Sequence, residues 1–191
     1  MKKFNSKEIR DFLKMFDTIG YEMCEDIRGL EFYIHAEEGV DLSNTDFACI
    51  NIPHSDIQMG KFDKSDLQLV DLSNSILCRS SFVDTNMEGS ILEGANCREC
   101  DFTNADLSDA NLIGCNFTGA VFEGANLDGV EFTDCILDNA NFAGAKNFGH
   151  SQYGGASIID CKSAKDILIT EDERKYLEEL IEEDELPNIF K

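Results

Sequence analysis

Long apolar runs are missing from this 191-residue chain, and bases and histidines are scarce. Without an apolar stretch of about 20 residues no membrane-spanning helix is expected, and a soluble domain with short terminal elements is. No apolar run follows Met1-Lys2-Lys3, so no signal peptide is expected and the setting is read as cytoplasmic. His35, His54 and His150 are too scattered to build a metal site or a nucleophile–base pair. The glycines close short repeated words instead of forming a phosphate-cradling loop, and the carboxylates follow a regular ladder instead of converging on a cleft. No catalytic residue, cofactor or metal is therefore expected, and the chain is read as a non-enzyme. Lys and Arg number 16 against 38 Asp and Glu, a net charge of −22. That balance excludes direct nucleic-acid binding by phosphate neutralisation.

What is present is a five-residue period from Val40 to Ala145. Starting at Leu42 and stepping by five, 21 consecutive positions hold eight Phe, nine Leu, two Ile, Met87 and Cys97, with no insertion. Two residues before each stands a small one, as at Ser65, Ala105 and Ala125, with Ile50 the bulky departure. The residue just before is Asp or Asn in 14 of the 21 words. A period of five matches neither a helix at 3.6 nor a strand at 2, so the chain must turn a corner in each word. The large residue and the small one two before it share a side, as alternate residues of an extended segment do. Both columns then point inward, and the remaining residues face solvent. Short internal periods of this kind mark solenoids.

The words Ala105-Asp106-Leu107-Ser108-Asp109, Ala110-Asn111-Leu112-Ile113-Gly114 and Ala125-Asn126-Leu127-Asp128-Gly129 resemble the pentapeptide-repeat family motif A(D/N)LXX. The resemblance implies an all-β solenoid: a right-handed quadrilateral β-helix with four words per coil and about five regular coils, flanked by short N-terminal and C-terminal α-helices. At the inter-strand spacing of about 4.8 Å, five coils make a rod roughly 24 Å tall. Cys97, Cys100, Cys115 and Cys135 fall on inward columns and read as small hydrophobes, not as a disulfide framework. Cys115 and Cys135, one coil apart, would stack and could oxidise in air.

Three segments are expected. Residues 1–39 hold a capping helix and degenerate first coils. Asn5 and Glu8 form a capping box, and Ile9, Phe12, Leu13 and Phe16 form one apolar stripe. Residues 40–145 are the repeat rod. Residues 146–191 are an irregular segment plus a helix opened by Thr170 and Glu173, whose face Tyr176, Leu177, Leu180 and Ile181 is read as a cap on the last coil or a contact in a homodimer.

Charge concentrates on the rod, which carries 4 bases and 18 acids. With four words per coil, one side displays Asp46, Asp66, Glu88, Asp106, Asp109 and Asp128 and no base. Duplex DNA carries about 14 charges over a comparable length. The resemblance to DNA-mimicking, quinolone-resistance members without projecting loops implies a protein partner such as DNA gyrase or topoisomerase IV. A second expectation is a general interaction scaffold with another protein partner, docking through solvent-facing apolar residues, chiefly Ile91 and Ile113.

Overall fold

The computed structural model describes residues 5–17, 34, 36, 38–148, 161, 164, 167–172 and 174–175. The 21 large residues of the period, from Leu42 to Phe142, are all buried with no exposure. The small column is buried with them, apart from Thr45, Ile50 and Ala145, which are half-buried.

Each word is bridged in parallel to its counterparts in the neighbouring coils, at the residue just before its large one. Asp41 pairs with Lys61, Lys61 with Ser81 and Ser81 with Asp101, and the other words follow the same step up to Asn126 with Lys146. One turn of the chain thus takes four words, and identical positions of successive coils lie beside one another. The amides and carbonyls pair between coils, as in Leu42 N–H to Lys61 O at 2.7 Å and Lys61 N–H to Val40 O at 2.8 Å. A coil isolated from its neighbours would leave these groups unpaired, so stacking is obligatory.

The corner has one backbone solution. The last residue of every word has φ between +54° and +75°, and the residue before it does not. Negative then positive φ is the sequence of a type II turn, closed here by bonds such as Ser65 N–H to Phe62 O at 3.0 Å. A side chain in the left-handed region costs about 1–2 kcal/mol, least for Gly, Asn and Asp. Of the 21 corner positions, seven are Gly and seven Asn or Asp, which explains the polar, Gly-rich word ends. Gly124 meets a second demand. A Cβ there would stand 2.4 Å from the Asn104 Oδ1 of the coil below, whereas at Gly144 nothing lies within 4 Å.

Three corners are built differently. In place of a direct turn bond, a serine hydroxyl from the next coil is inserted. Ser80 Oγ accepts from Gly60 N–H at 3.1 Å and donates to Ile57 O at 2.9 Å. Ser65 does the same for Thr45 and Leu42, and Ser75 for Ser55 and Ile52. Ser90, by contrast, buries its hydroxyl without a partner. Opposite outcomes follow. Ser80→Ala strands a buried donor and acceptor and should lose about 1–3 kcal/mol, while Ser90→Ala should be neutral or gain up to about 1 kcal/mol. Urea melts of the two variants check the signs.

The interior is aromatic on one side. Phe62, Phe82, Phe102, Phe122 and Phe142 stack with centroid separations of 4.9, 5.0, 5.1 and 4.7 Å, so one ring sits on each coil. The period fails at Asn147, which would have been the next large position. Asn147 takes φ +60°, and Phe148 turns inward instead, stacking on Phe142 at 4.5 Å. A one-residue slip therefore closes the stack with an aromatic cap. Above it Leu168 bridges Asn141, and the Phe142 amide bonds to Leu168 O at 2.7 Å.

At the other end, helix α1 (Ser6–Asp17) carries the expected capping box: Asn5 N–H to Glu8 Oε2 at 3.1 Å and Glu8 N–H to Asn5 Oδ1 at 3.0 Å. Ile9 is buried in the rod's core. Ser6 Oγ accepts from the Asp41 amide, and Arg10 donates to the carbonyls of Asp41 and Ser43. These contacts lay the helix on the first coil. The side chains of Phe12, Leu13 and Phe16 lie outside the described residues, as does the expected C-terminal face of Tyr176, Leu177, Leu180 and Ile181. Glu171, Asp172, Arg174 and Lys175 are helical.

Candidate interaction surface

The bridge ladders assign every outward residue of the rod to one of four sides. Asp46, Asp66, Asn86, Asp106, Asn126 and Lys146 form one continuous ladder. Glu88, Asp109 and Asp128 belong to the same words, so the six acids predicted to share a side do share one. Within these five words the side carries no base, as expected, and the ladder is closed above Asn126 by Lys146. That residue lies one position past the regular repeats and could be placed only once the pairing was known.

The carboxylates of this acidic side are held by the word itself. Asp66 Oδ1 accepts from the Gln68 amide at 3.1 Å and from Asn86 Nδ2 at 3.1 Å on the coil above. Asp106 Oδ1 accepts from the Ser108 amide, the Ser108 hydroxyl and Asn126 Nδ2. Burial pushes the Asp106 carboxyl up, but these donors, with Lys146, outweigh it and hold it below its ordinary value. The charge at Asp106 is therefore present throughout the neutral range. The asparagine positions act as spacers that donate to the aspartate below.

The next side, built on Ile52, Leu72, Leu92, Leu112 and Phe132, carries Asp71, Glu93, Glu131 and Asp134 and again no Lys or Arg. The sequence pointed to the first side for its acids and to this one for the apolar pair Ile91 and Ile113. The ladders show that two adjoining sides hold ten acids and no base within the repeats, while the other two hold eight acids with all four bases, Lys61, Lys64, Arg79 and Arg98. The rod is charged unevenly around its axis.

Ile91 and Ile113 lie on this second side, one coil apart along the ladder Asp71, Ile91, Asn111 and Glu131, exposed by 39% and 37%. Asn111 sits between them, bonded to Glu93. Leu69, 50% exposed on the corner shared with the acidic side, adds to this apolar rim and went unremarked in the sequence. Ile76 is exposed on a different side, and Val83, Val121 and Ile136 are half-buried.

Among the described residues no cluster of three or more His, Cys, Asp and Glu is arranged to hold a metal ion, and no helix is long and apolar enough to cross a membrane.

Residues 61–94, 80–119 and 115–146 match the family model of pentapeptide repeats, in eight copies. Residues 61–146 are thus built of pentapeptide repeats, and the architecture is a β-helix. Solved structures similar to it include two forms of QnrB1, described as a plasmid-mediated fluoroquinolone resistance protein. A trypsin-treated variant is 13% identical, with 78% of this chain and 84% of that chain covered and a TM-score of 0.46. Full-length QnrB1 is 11% identical, covers 78% and 86%, and has a TM-score of 0.41. Rfr23, a pentapeptide repeat protein from the cyanobacterium Cyanothece 51142, is 19% identical, covers 82% and 97%, and has a TM-score of 0.32. No curated protein matches the chain in sequence.

Proposed function

We propose that this chain is a non-catalytic docking rod of the cytoplasm, wound as a right-handed coil of square section, that acts by protein–protein contact. Its two acidic sides enter a basic groove that otherwise takes duplex DNA. The partner is a type II topoisomerase, DNA gyrase or topoisomerase IV, and the outcome is resistance to quinolones or similar poisons. The observation that carries the reading is the uneven charge: ten acids without a base on adjoining sides of a rod roughly 24 Å tall. Duplex DNA presents charge of the same sign and similar density. The ordered Asp–Asn ladder keeps that charge in place, so little side-chain freedom is lost on docking.

A supercoiling assay with gyrase tests it, with and without ciprofloxacin, at two salt concentrations. Inhibition or drug protection should weaken as salt rises and vanish in the double variant Asp66→Lys/Asp106→Lys. No effect at large excess over the enzyme overturns the topoisomerase reading. The exposure of Ile91, Ile113 and Leu69 favours a second reading, a general scaffold whose partner is another protein. That complex would be insensitive to salt and lost in Ile91→Asp/Ile113→Asp.

A further inference from the structure

The exposed apolar residues of the acidic sides form a line. Leu69, Ile91 and Ile113 are successively 22 residues apart, one coil and two residues, so they run as a diagonal across the corner between the two acidic sides. Leu69 is the most exposed large apolar side chain of the repeats. It occupies a corner with φ +56°, a conformation that suits Gly, Asn or Asp and strains leucine. The coil above leaves it room, since a Cβ at Gly89 would stand 2.7 Å from Leu69 Cδ2. Strained backbone that holds leucine out in solvent does nothing for the fold and marks a surface with a use. Acids line both flanks of the diagonal. Asp71 and Glu93 stand one coil below Ile91 and Ile113, and Glu93 is held by Asn111 Nδ2 at 3.3 Å. Above the diagonal are Asp109, Glu131 and Glu88, the last held by Gln68 Nε2 at 3.0 Å. Lys64 stands at the opposite corner of the first acidic side and Lys146 at its top, so no base interrupts the diagonal. Met59, also exposed, instead faces a cleft that holds Glu38, Arg98 and the Arg79–Glu99 ion pair.

We propose, building on the docking reading, that the diagonal Leu69, Ile91 and Ile113 receives a basic amphipathic helix of the protein partner. Its apolar stripe covers the three side chains, and its Lys and Arg residues meet the acids on either flank. Charge complementarity selects a basic occupant, because both flanks are acidic and no base lies between them. A helix is selected over an extended segment by the backbone of the rod. Along these sides the amides and carbonyls are already paired from coil to coil, as in Leu69 N–H to Glu88 O at 2.9 Å and Ile91 N–H to Val70 O at 2.8 Å. An added strand would find no free edge there, whereas a helix brings its own internal hydrogen bonds. Each step of the diagonal rises about 4.8 Å and runs about 6.6 Å along the chain. Its length is thus on the order of 16 Å, roughly three turns of helix. The apolar side chains supply affinity that survives salt, and the acids set the sign of the partner and speed its approach.

The test titrates the full-length protein into a fluorescent Leu/Lys peptide of about 18 residues, long enough to form a helix with one leucine face. The control peptide has the same composition, scrambled so that no face is apolar. Fluorescence anisotropy should show the amphipathic peptide binding at least tenfold more tightly. That gap should persist at ~0.5 M salt, where charge contacts are screened. Ile91→Ser/Ile113→Ser should close the gap with an unchanged melting temperature. Leu69→Asn should narrow it and melt no lower than the parent, since asparagine suits the corner. Equal binding of the two peptides, an unchanged gap in the Ile variants, or a Leu69→Asn protein that melts clearly lower would each overturn the proposal. So would self-association of the rod, seen by sedimentation, that the same variants abolish, because the diagonal would then belong to a second copy. The probe is not a topoisomerase, so a failed peptide titration and a failed gyrase assay are separate results, and equal binding of both peptides leaves docking by charge intact.

Discussion

Leu107→Lys is expected to leave essentially no soluble folded protein. Leu107 is buried without exposure in the middle of the rod, with Met87 below and Leu127 above in the same column. Its inward neighbours are Ala105, Ala110, Phe102 and Leu112, none of which offers a side-chain acceptor. Losing the leucine costs about 2–5 kcal/mol, and an unpaired buried ammonium adds several more. Together these approach the whole of an ordinary domain's stability of about 5–15 kcal/mol. The Lys side chain cannot escape by a local shift, because the residues on either side are fixed by bonds to both neighbouring coils. Leu107→Met serves as the control: the same column already accepts Met87, and a swap of similar volume costs less than about 1.5 kcal/mol. Soluble yield and far-UV circular dichroism of the two variants decide the matter. A Lys variant that is soluble and melts within a few degrees of the parent would show that this column is not the core.

The columns of the rod were legible because every coil repeats the same constraint. A large residue at Leu42, and then at each fifth position, could be buried only by a chain that turned once per word, and the structure buries all 21. The four-sided division followed from the family resemblance, and with it the common side of Asp46, Asp66 and Asp106. What escaped reading depends on contacts between words that differ. Ser65, Ser75 and Ser80 looked like ordinary members of the small column, yet their hydroxyls replace direct turn bonds in the coil before. Nothing in the period separates them from Ser90, whose hydroxyl bonds to nothing. Phe148 was hidden for a related reason: the register ends at Ala145, with Asn147 at the next large position, and only a corner-like φ at Asn147 brings the next residue onto the aromatic stack. The base at the head of the acidic side, Lys146, lay one residue past the last regular word. The acidic character of the second side was visible as Asp71, Glu93, Glu131 and Asp134, but its weight emerged only when all four bases were assigned to the other two sides.

Phe102→Ala should cost about 3–5 kcal/mol, and its effect should depend on position along the stack. Phe102 lies between Phe82 and Phe122 at 5.0 and 5.1 Å, with Phe117 edge-on at 5.9 Å. Removing the ring opens a cavity at a level where each coil touches only its neighbours, and aromatic pairs worth about 0.5–1.5 kcal/mol each disappear on both sides. Because a solenoid is stabilised through nearest-neighbour interfaces, a gap in the middle weakens the coupling between the lower and upper coils. The melting temperature should fall by roughly 6–20 °C, at about 2–4 °C per kcal/mol for a chain of this size, and the transition should broaden. Phe148→Ala removes a ring with one stacked neighbour, Phe142, at the end of the rod, and should cost clearly less without broadening the melt. Phe102→Leu should recover most of the loss, since leucine fills the inward position of equivalent words on other sides. If the alanine at 148 proved as damaging as the alanine at 102, the stability of the rod would reside in its caps and not in the aromatic column.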